Sequence, residues 1–214
     1  MIPRPEQIIS WEALTGLRPV DADNPFRLLL SACLTGRACI YDGSSMGEDD
    51  FFSALQALPT VKAAWFCPEE TMFGTPRALC DIHGGNGFDV LDGKAKVLTD
   101  AGDDWTAPML EAARRMLSLA RAHRAELAIL LDISAACGVQ VISLGARGVP
   151  ERAYQRGPGV CAAILIRHGI PVISQRDDRS LQLLRSRLDP GYRPDPAALD
   201  HHQREWYQGY FPQA

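Results

Sequence analysis

Short apolar runs that close on turn residues recur along the chain. Residues 26–33 read FRLLLSAC, 63–67 read AAWFC, and 127–138 read LAILLDISAACG. Unalternating runs of this length are the mark of strands buried on both faces, as in a parallel sheet. Residues 170–174 (IPVIS) form a fourth such run. Between the runs the apolar positions change to helical spacing. Phe51, Phe52, Leu55 and Leu58 predict a helix over 48–58, whose acidic first turn suits the helix dipole. Met109, Ala113, Met116, Leu117 and Ala120 predict a longer helix over 103–122. Asp103, Asp104 and Thr106 supply its capping oxygens, and Pro108 lies in its first turn. Residues 157–169 read as a glycine entry, a helix and a C-capping Gly169, and Leu181, Leu184 and Leu188 predict a short helix over 177–188. Over 72–98, Gly84-Gly85-Asn86-Gly87 and Asp92-Gly93 predict extended pieces joined by turns in a hairpin.

Strands that alternate with helices predict an α/β fold: a single Rossmann-like three-layer domain with a mostly parallel sheet, over residues 26–176. Residues 1–25 read as an N-terminal extension, with Ile8, Ile9, Trp11 and Leu14 as a short apolar helical face and PVDADNP as a linker. Residues 177–214 read as a C-terminal helix and an aromatic-rich tail, which either docks on the domain or contacts a second copy. The neighbouring pair His201-His202 does not share a helical face and is not read as a metal site.

Composition narrows the function. The chain has 214 residues, a net charge of −4 and a pI near 5.7, which argues against a nucleic-acid partner. No apolar run approaches the ~20 residues that span a bilayer. The opening MIPRPEQIIS lacks the form of a signal peptide, so a cytoplasmic protein is expected. In such a compartment six cysteines point to metal or catalysis rather than to disulfides. Cys39, Cys80 and Cys161 read as small buried hydrophobes. Cys33, Cys67 and Cys137 each follow a predicted strand. Ligands in parallel sheets sit beyond the carboxyl ends of the strands. If the three runs are neighbours, the three thiols converge at one edge and make a metal site with one position open.

Other residues fall near that edge. Glu69, two positions past Cys67, is a candidate general base. Ser134, three before Cys137, either faces the same pocket or satisfies the turn backbone. Arg77, after Thr75-Pro76, either anchors an anion or pairs with a carboxylate. The helix of 157–169 would point its N-terminal donors at the pocket edge, which suits an anion or a carbonyl.

The ordered pieces SACLTG with IYDG, CPEE, TPR, IHGGNG, VLDGKAKV, SAACG, and GPGVCAAILIRHGI with VIS resemble the thiouracil desulfurase (TudS-like) family, long known only as an uncharacterised bacterial domain. They cover residues 26–175. The resemblance implies a 4Fe–4S cluster on Cys33, Cys67 and Cys137, with a fourth iron free of protein ligands. It implies removal of sulfur from a small thiolated pyrimidine, as the nucleobase or nucleoside, to give the oxo base. The thiocarbonyl sulfur binds the open iron, water attacks the ring carbon, and no net redox change is needed. Glu69 is then the base, and Ser134 orients it or relays the proton; substrate-binding residues are not identified. The chain departs from the family pattern where SAACG replaces the usual SPSCG. It departs again where Leu131, beside Asp132, stands in place of a frequent Lys. Two readings from other classes fit the same residues: a cluster-bearing sensor without desulfurase activity, and a cluster-free α/β small-molecule binding domain.

Overall fold

The computed structural model describes Leu14 and residues 16–211. Its centre is a four-stranded parallel sheet. The strands are β1 (Phe26–Ser31), β2 (Val61–Phe66), β5 (Leu127–Leu130) and β8 (Val172–Ser174), in the order β2-β1-β5-β8. The three cysteine-bearing runs are therefore neighbours, the condition under which their thiols converge at one edge. β1 pairs with β2 from Phe26↔Val61 to Ser31↔Phe66, and with β5 from Leu28↔Leu127 to Leu30↔Ile129. The order reverses between β1 and β5, which makes their carboxyl ends the expected ligand crevice.

Helices cover both faces, giving the three layers expected. Leu29, Ala128, Leu130 and Val172 point to one face. They pack with α4 (Thr106–His123) through Met109, Ala113 and Met116, and with α5 (Val160–Arg167) through Val160 and Leu165. Leu28, Leu30, Ile129 and Ile173 point to the other. There they meet Phe52 and Leu55 of α1 (Asp50–Gln56), and Leu181, Leu184 and Leu188 of α6 (Asp178–Leu188). Leu14 joins this second core, whereas Ile8, Ile9 and Trp11 lie outside the described residues. Among the described residues no helix is long and apolar enough to cross a membrane.

The segment 72–98 differs from a tight hairpin. β3 (Cys80–His83) and β4 (Lys96–Thr99) do pair antiparallel, but α3 (Gly87–Leu91) lies between them. Asn86 explains the insertion. Its side chain accepts from Phe88 N–H while Asp89 accepts from Asn86 N–H, a reciprocal cap that starts a helix where the glycines alone suggest a turn. A second small pair joins β6 (Val141–Ser143) and β7 (Tyr154–Arg156). The tail docks on its own chain: after a 3-10 turn at His201–Gln203, α7 (Glu205–Tyr210) stacks Trp206 and Tyr210 edge-on to Tyr154.

Candidate functional site

Each predicted cysteine sits where a strand of the parallel sheet gives way to the next element. Cys33 lies on a single 3-10 turn, Ala32–Leu34, directly after β1. Cys67 is the N-cap of α2 (Pro68–Phe73), and its Sγ accepts the Glu70 N–H at 3.4 Å. Cys137 lies in the loop 131–140 that leaves β5. The Ser31 hydroxyl at the end of β1 accepts Leu131 N–H at 3.1 Å and is hydrogen-bonded to the Cys137 thiol.

A fourth thiol joins them. Cys39 is buried, as expected, but it does not simply fill the core. It shares hydrogen bonds with both Cys33 and Cys67. The Cys39 and Cys67 sulfurs and a Glu70 carboxylate oxygen all lie within 4.8 Å of one another. The bond to Cys33, with burial behind it, pushes the Cys39 thiol up to about 11, while Cys67 pulls it down. Cys67 is pushed well above its ordinary value by the bond to Cys39 and by burial. Burial raises Cys137 as well, against the pull of Ser31, and Cys137 feels the charges of Cys67, Glu69 and Cys39. Cys80 and Cys161 are buried in the same core as Cys137, on the opposite face of the sheet from Cys33 and Cys39, and Cys161 feels the charges of Cys137 and Cys67.

Glu69 ties three segments together. Its Oε2 accepts from Arg77 Nη2 at 3.0 Å and from Arg77 Nε at 3.3 Å, so Arg77 pairs with a carboxylate. The guanidinium is almost fully buried and also donates to the Cys39 carbonyl at 3.0 Å. Glu69 Oε1 accepts from the Ser134 hydroxyl at 3.2 Å. Ser134 Oγ in turn accepts the N–H groups of Ala136 (3.2 Å) and Cys137 (3.1 Å). Ser134 thus satisfies the turn backbone and at the same time donates to Glu69.

The α5 N-terminus departs from expectation. Its donors do not face an open pocket, because the Cys137 loop uses them. Gly159 N–H binds the Gly138 carbonyl at 2.8 Å, Val160 N–H binds Ala135 at 2.9 Å, and Cys161 N–H binds Ala136 at 2.8 Å. A Cβ at Gly159 would lie 2.6 Å from both the Ala135 and Ala136 oxygens, so glycine allows this docking. The helix dipole therefore steadies the loop rather than a substrate.

Asp132 is the residue that the sequence left unassigned. It is 3% exposed, and its Oδ1 accepts four backbone N–H groups: Ile133 (3.1 Å), Val139 (2.9 Å) and Gln140 (3.2 Å) of the loop, and Val141 (3.1 Å) at the start of β6. Its Oδ2 meets His201 Nδ1 at 2.8 Å and the Ser174 hydroxyl at 3.2 Å. Burial works against its ionisation, but His201 and the loop N–H groups hold the carboxyl below its ordinary value. His201 is buried and His202 is exposed, so the two imidazoles part company.

Residues 28–177 match the family 2-thiouracil desulfurase. The chain is 36% identical over 151 residues to "Uncharacterized protein YbbK" of Bacillus subtilis (strain 168), covering 70% of this chain and 96% of that protein. It is also similar to the solved structure of a 4Fe–4S-dependent thiouracil desulfidase, TudS. There the TM-score is 0.59 and the identity 33%, over 75% of this chain and 98% of that one.

Proposed function

Because the chain belongs to the 2-thiouracil desulfurase family, we propose that this enzyme removes sulfur from a small thiolated pyrimidine and leaves the oxo base. The observation that carries the reading is the gathering of thiols at the carboxyl ends of β2, β1 and β5, beside an ordered Glu69–Ser134 pair.

The donor set fits an iron–sulfur cluster. It consists of soft sulfur ligands in an enclosed edge, and thiolates are the usual ligands of such clusters. The hydrogen bond to Cys39 together with burial favours the neutral thiol at Cys67, and burial does so at Cys137. Cys67 and Cys137 would hold bound iron as thiolates, because a nearby cation reverses that balance. Cys33, Cys67 and Cys137 are assigned as the ligands, with Cys39 beside them. When bound, the cluster supplies a soft Lewis acid that prefers a thiocarbonyl sulfur to oxygen.

The protein side of the reaction belongs to Glu69. Arg77 occupies Oε2, which leaves Oε1 as the edge that accepts a proton from an attacking water. Ser134 donates to that oxygen and fixes its direction. Replacement of sulfur by the water oxygen releases hydrosulfide and transfers no net electrons.

The test is anaerobic reconstitution of the full chain with iron and sulfide, followed by iron analysis and 2-thiouracil turnover. About four iron per chain is expected in the wild type, with loss in Cys33→Ala, Cys67→Ala and Cys137→Ala. A cluster that forms but turns over neither 2-thiouracil nor a thiolated nucleoside would favour the sensor. A chain that takes up no iron would favour the cluster-free binding domain.

A further inference from the structure

We infer that His201, which lies beyond the family-matched residues 28–177, is a positioning residue for the loop that carries Ser134 and Cys137. The inference rests on the reading of Cys137 as a cluster ligand.

The loop 131–140 has little periodic structure of its own. It opens with Ile133 at φ +58°, a left-handed conformation that a β-branched residue rarely adopts. Something must hold it there. Asp132 Oδ1 does so by gathering three loop N–H groups and that of Val141, where β6 begins. One carboxylate oxygen with four donors needs its other oxygen fixed, or the side chain can rotate and release them. His201 Nδ1 at 2.8 Å and the Ser174 hydroxyl at 3.2 Å provide that fixing.

A second clamp runs in parallel. The His201 N–H donates to Asp177 Oδ1 at 3.0 Å. Asp177 in turn accepts the Gln140 side-chain amide at 2.6 and 2.7 Å, at the far end of the same loop. The tail therefore grips the loop at both ends, at Asp132 by the ring and at Gln140 through Asp177.

His201 is itself tightly placed. Asp200 accepts from Ser180 N–H and Oγ at 2.8 Å each, which anchors the 3-10 turn to the start of α6. The Trp206 ring lies parallel to the imidazole, 5.5 Å away. The imidazole is 1% exposed, yet its Nε2 has no hydrogen-bond partner. A buried polar atom without a partner calls for a reason beyond packing. Here the reason is that Nδ1 alone carries the function: an apolar ring would fill the space but leave Asp132 Oδ2 without its shortest bond.

The experiment uses full-length wild type, His201→Ala, His201→Asn and His201→Gln. Asn presents its amide where Nδ1 stands, and Gln presents it where Nε2 stands. In the metal-free protein, iodoacetamide labelling is followed separately for each cysteine by peptide mass spectrometry under anaerobic conditions. Labelling of Cys137 is expected to rise about tenfold or more in His201→Ala, the effect of losing one hydrogen bond to a charged group. Cys80, on β3, should be unchanged, and His201→Asn should return Cys137 to near the wild-type rate. His201→Gln keeps the volume without the Nδ1 contact and should behave like Ala, which preserves the test if the Ala variant does not fold. After reconstitution, iron should leave His201→Ala and His201→Gln faster than wild type and His201→Asn.

Equal Cys137 labelling in all four proteins overturns the inference and leaves the family reading intact. So does a rise shared by every cysteine, which would mean general loosening. Absence of iron uptake in the wild type overturns the cluster reading instead, and the labelling pattern still decides whether His201 holds the loop.

Discussion

Glu69 and Ser134 show how one side chain serves two demands at the residue scale. Ser134 accepts two loop N–H groups and donates to Glu69, so its loss touches both the fold of the Cys137 loop and the direction of the base. Glu69→Gln keeps the shape and removes the basicity. It is expected to lower kcat by about 10²–10⁴-fold, the usual range for a lost general base, while iron content stays at the wild-type level. Single-turnover rates on reconstituted protein check this. Cys39 raises a separate question, because it lies close to Cys67 and Glu70. With Cys33, Cys67 and Cys137 as the ligands, Cys39→Ala should still take up about four iron per chain, and iron analysis decides it. No spacing rule singles out Cys39. It follows Cys33 across a loop, and only the path of that loop returns its thiol to the group.

At the scale of elements, the apolar runs were readable because burial imposes a period on each segment independently of its neighbours. β1 and β5 are buried on both faces, and alternate residues of each serve the two cores. Ile129 is fully buried in the second core. Ile129→Ala should therefore cost about 2–5 kcal/mol in urea unfolding, from lost burial plus the cavity left behind. The long helix runs Thr106–His123, close to the predicted 103–122, and Asp104 Oδ1 accepts the Thr106 N–H at 3.0 Å. α3 was not readable from the glycines around it, since the Asn86–Asp89 cap decides it. The donors at the α5 N-terminus could be foreseen, but not their use. Whether a helix end faces solvent or a loop carbonyl depends on what the chain packs against it.

The whole molecule is closed by contacts between the sheet and the C-terminal segment. Leu181, Leu184 and Leu188 complete one of the two cores, and the aromatic tail packs over β7. At this junction burial pushes the Asp177 carboxyl up to about 7, against the N–H groups of His201 and Ser174. An acid raised in the folded state keeps a proton that the unfolded chain, with a carboxyl near 3.9, has already released. Its contribution to stability is therefore largest at low pH and is lost as pH rises towards about 7. Asp132, held below its ordinary value, acts in the opposite sense and only at more acidic pH, where its protonation destabilises the fold. Between about pH 4 and the upper limit of about 7, stability measured by denaturant should fall with pH, and Asp177→Asn should flatten that slope.

The sequence by itself determined the class of fold, the four parallel strands and the placing of Cys33, Cys67 and Cys137 at strand ends. These follow from burial patterns and turn residues, which act over a few positions of chain. Its ordered motifs also carried the family. Tertiary structure alone decided that Cys39 joins the thiols, that Arg77 turns to Glu69, and that His201 reaches Asp132 across 69 residues. Each is a meeting of polar groups from separate loops. A polar group must find some partner when buried, but nothing in its local sequence says which one, because the choice depends on the path of the whole chain.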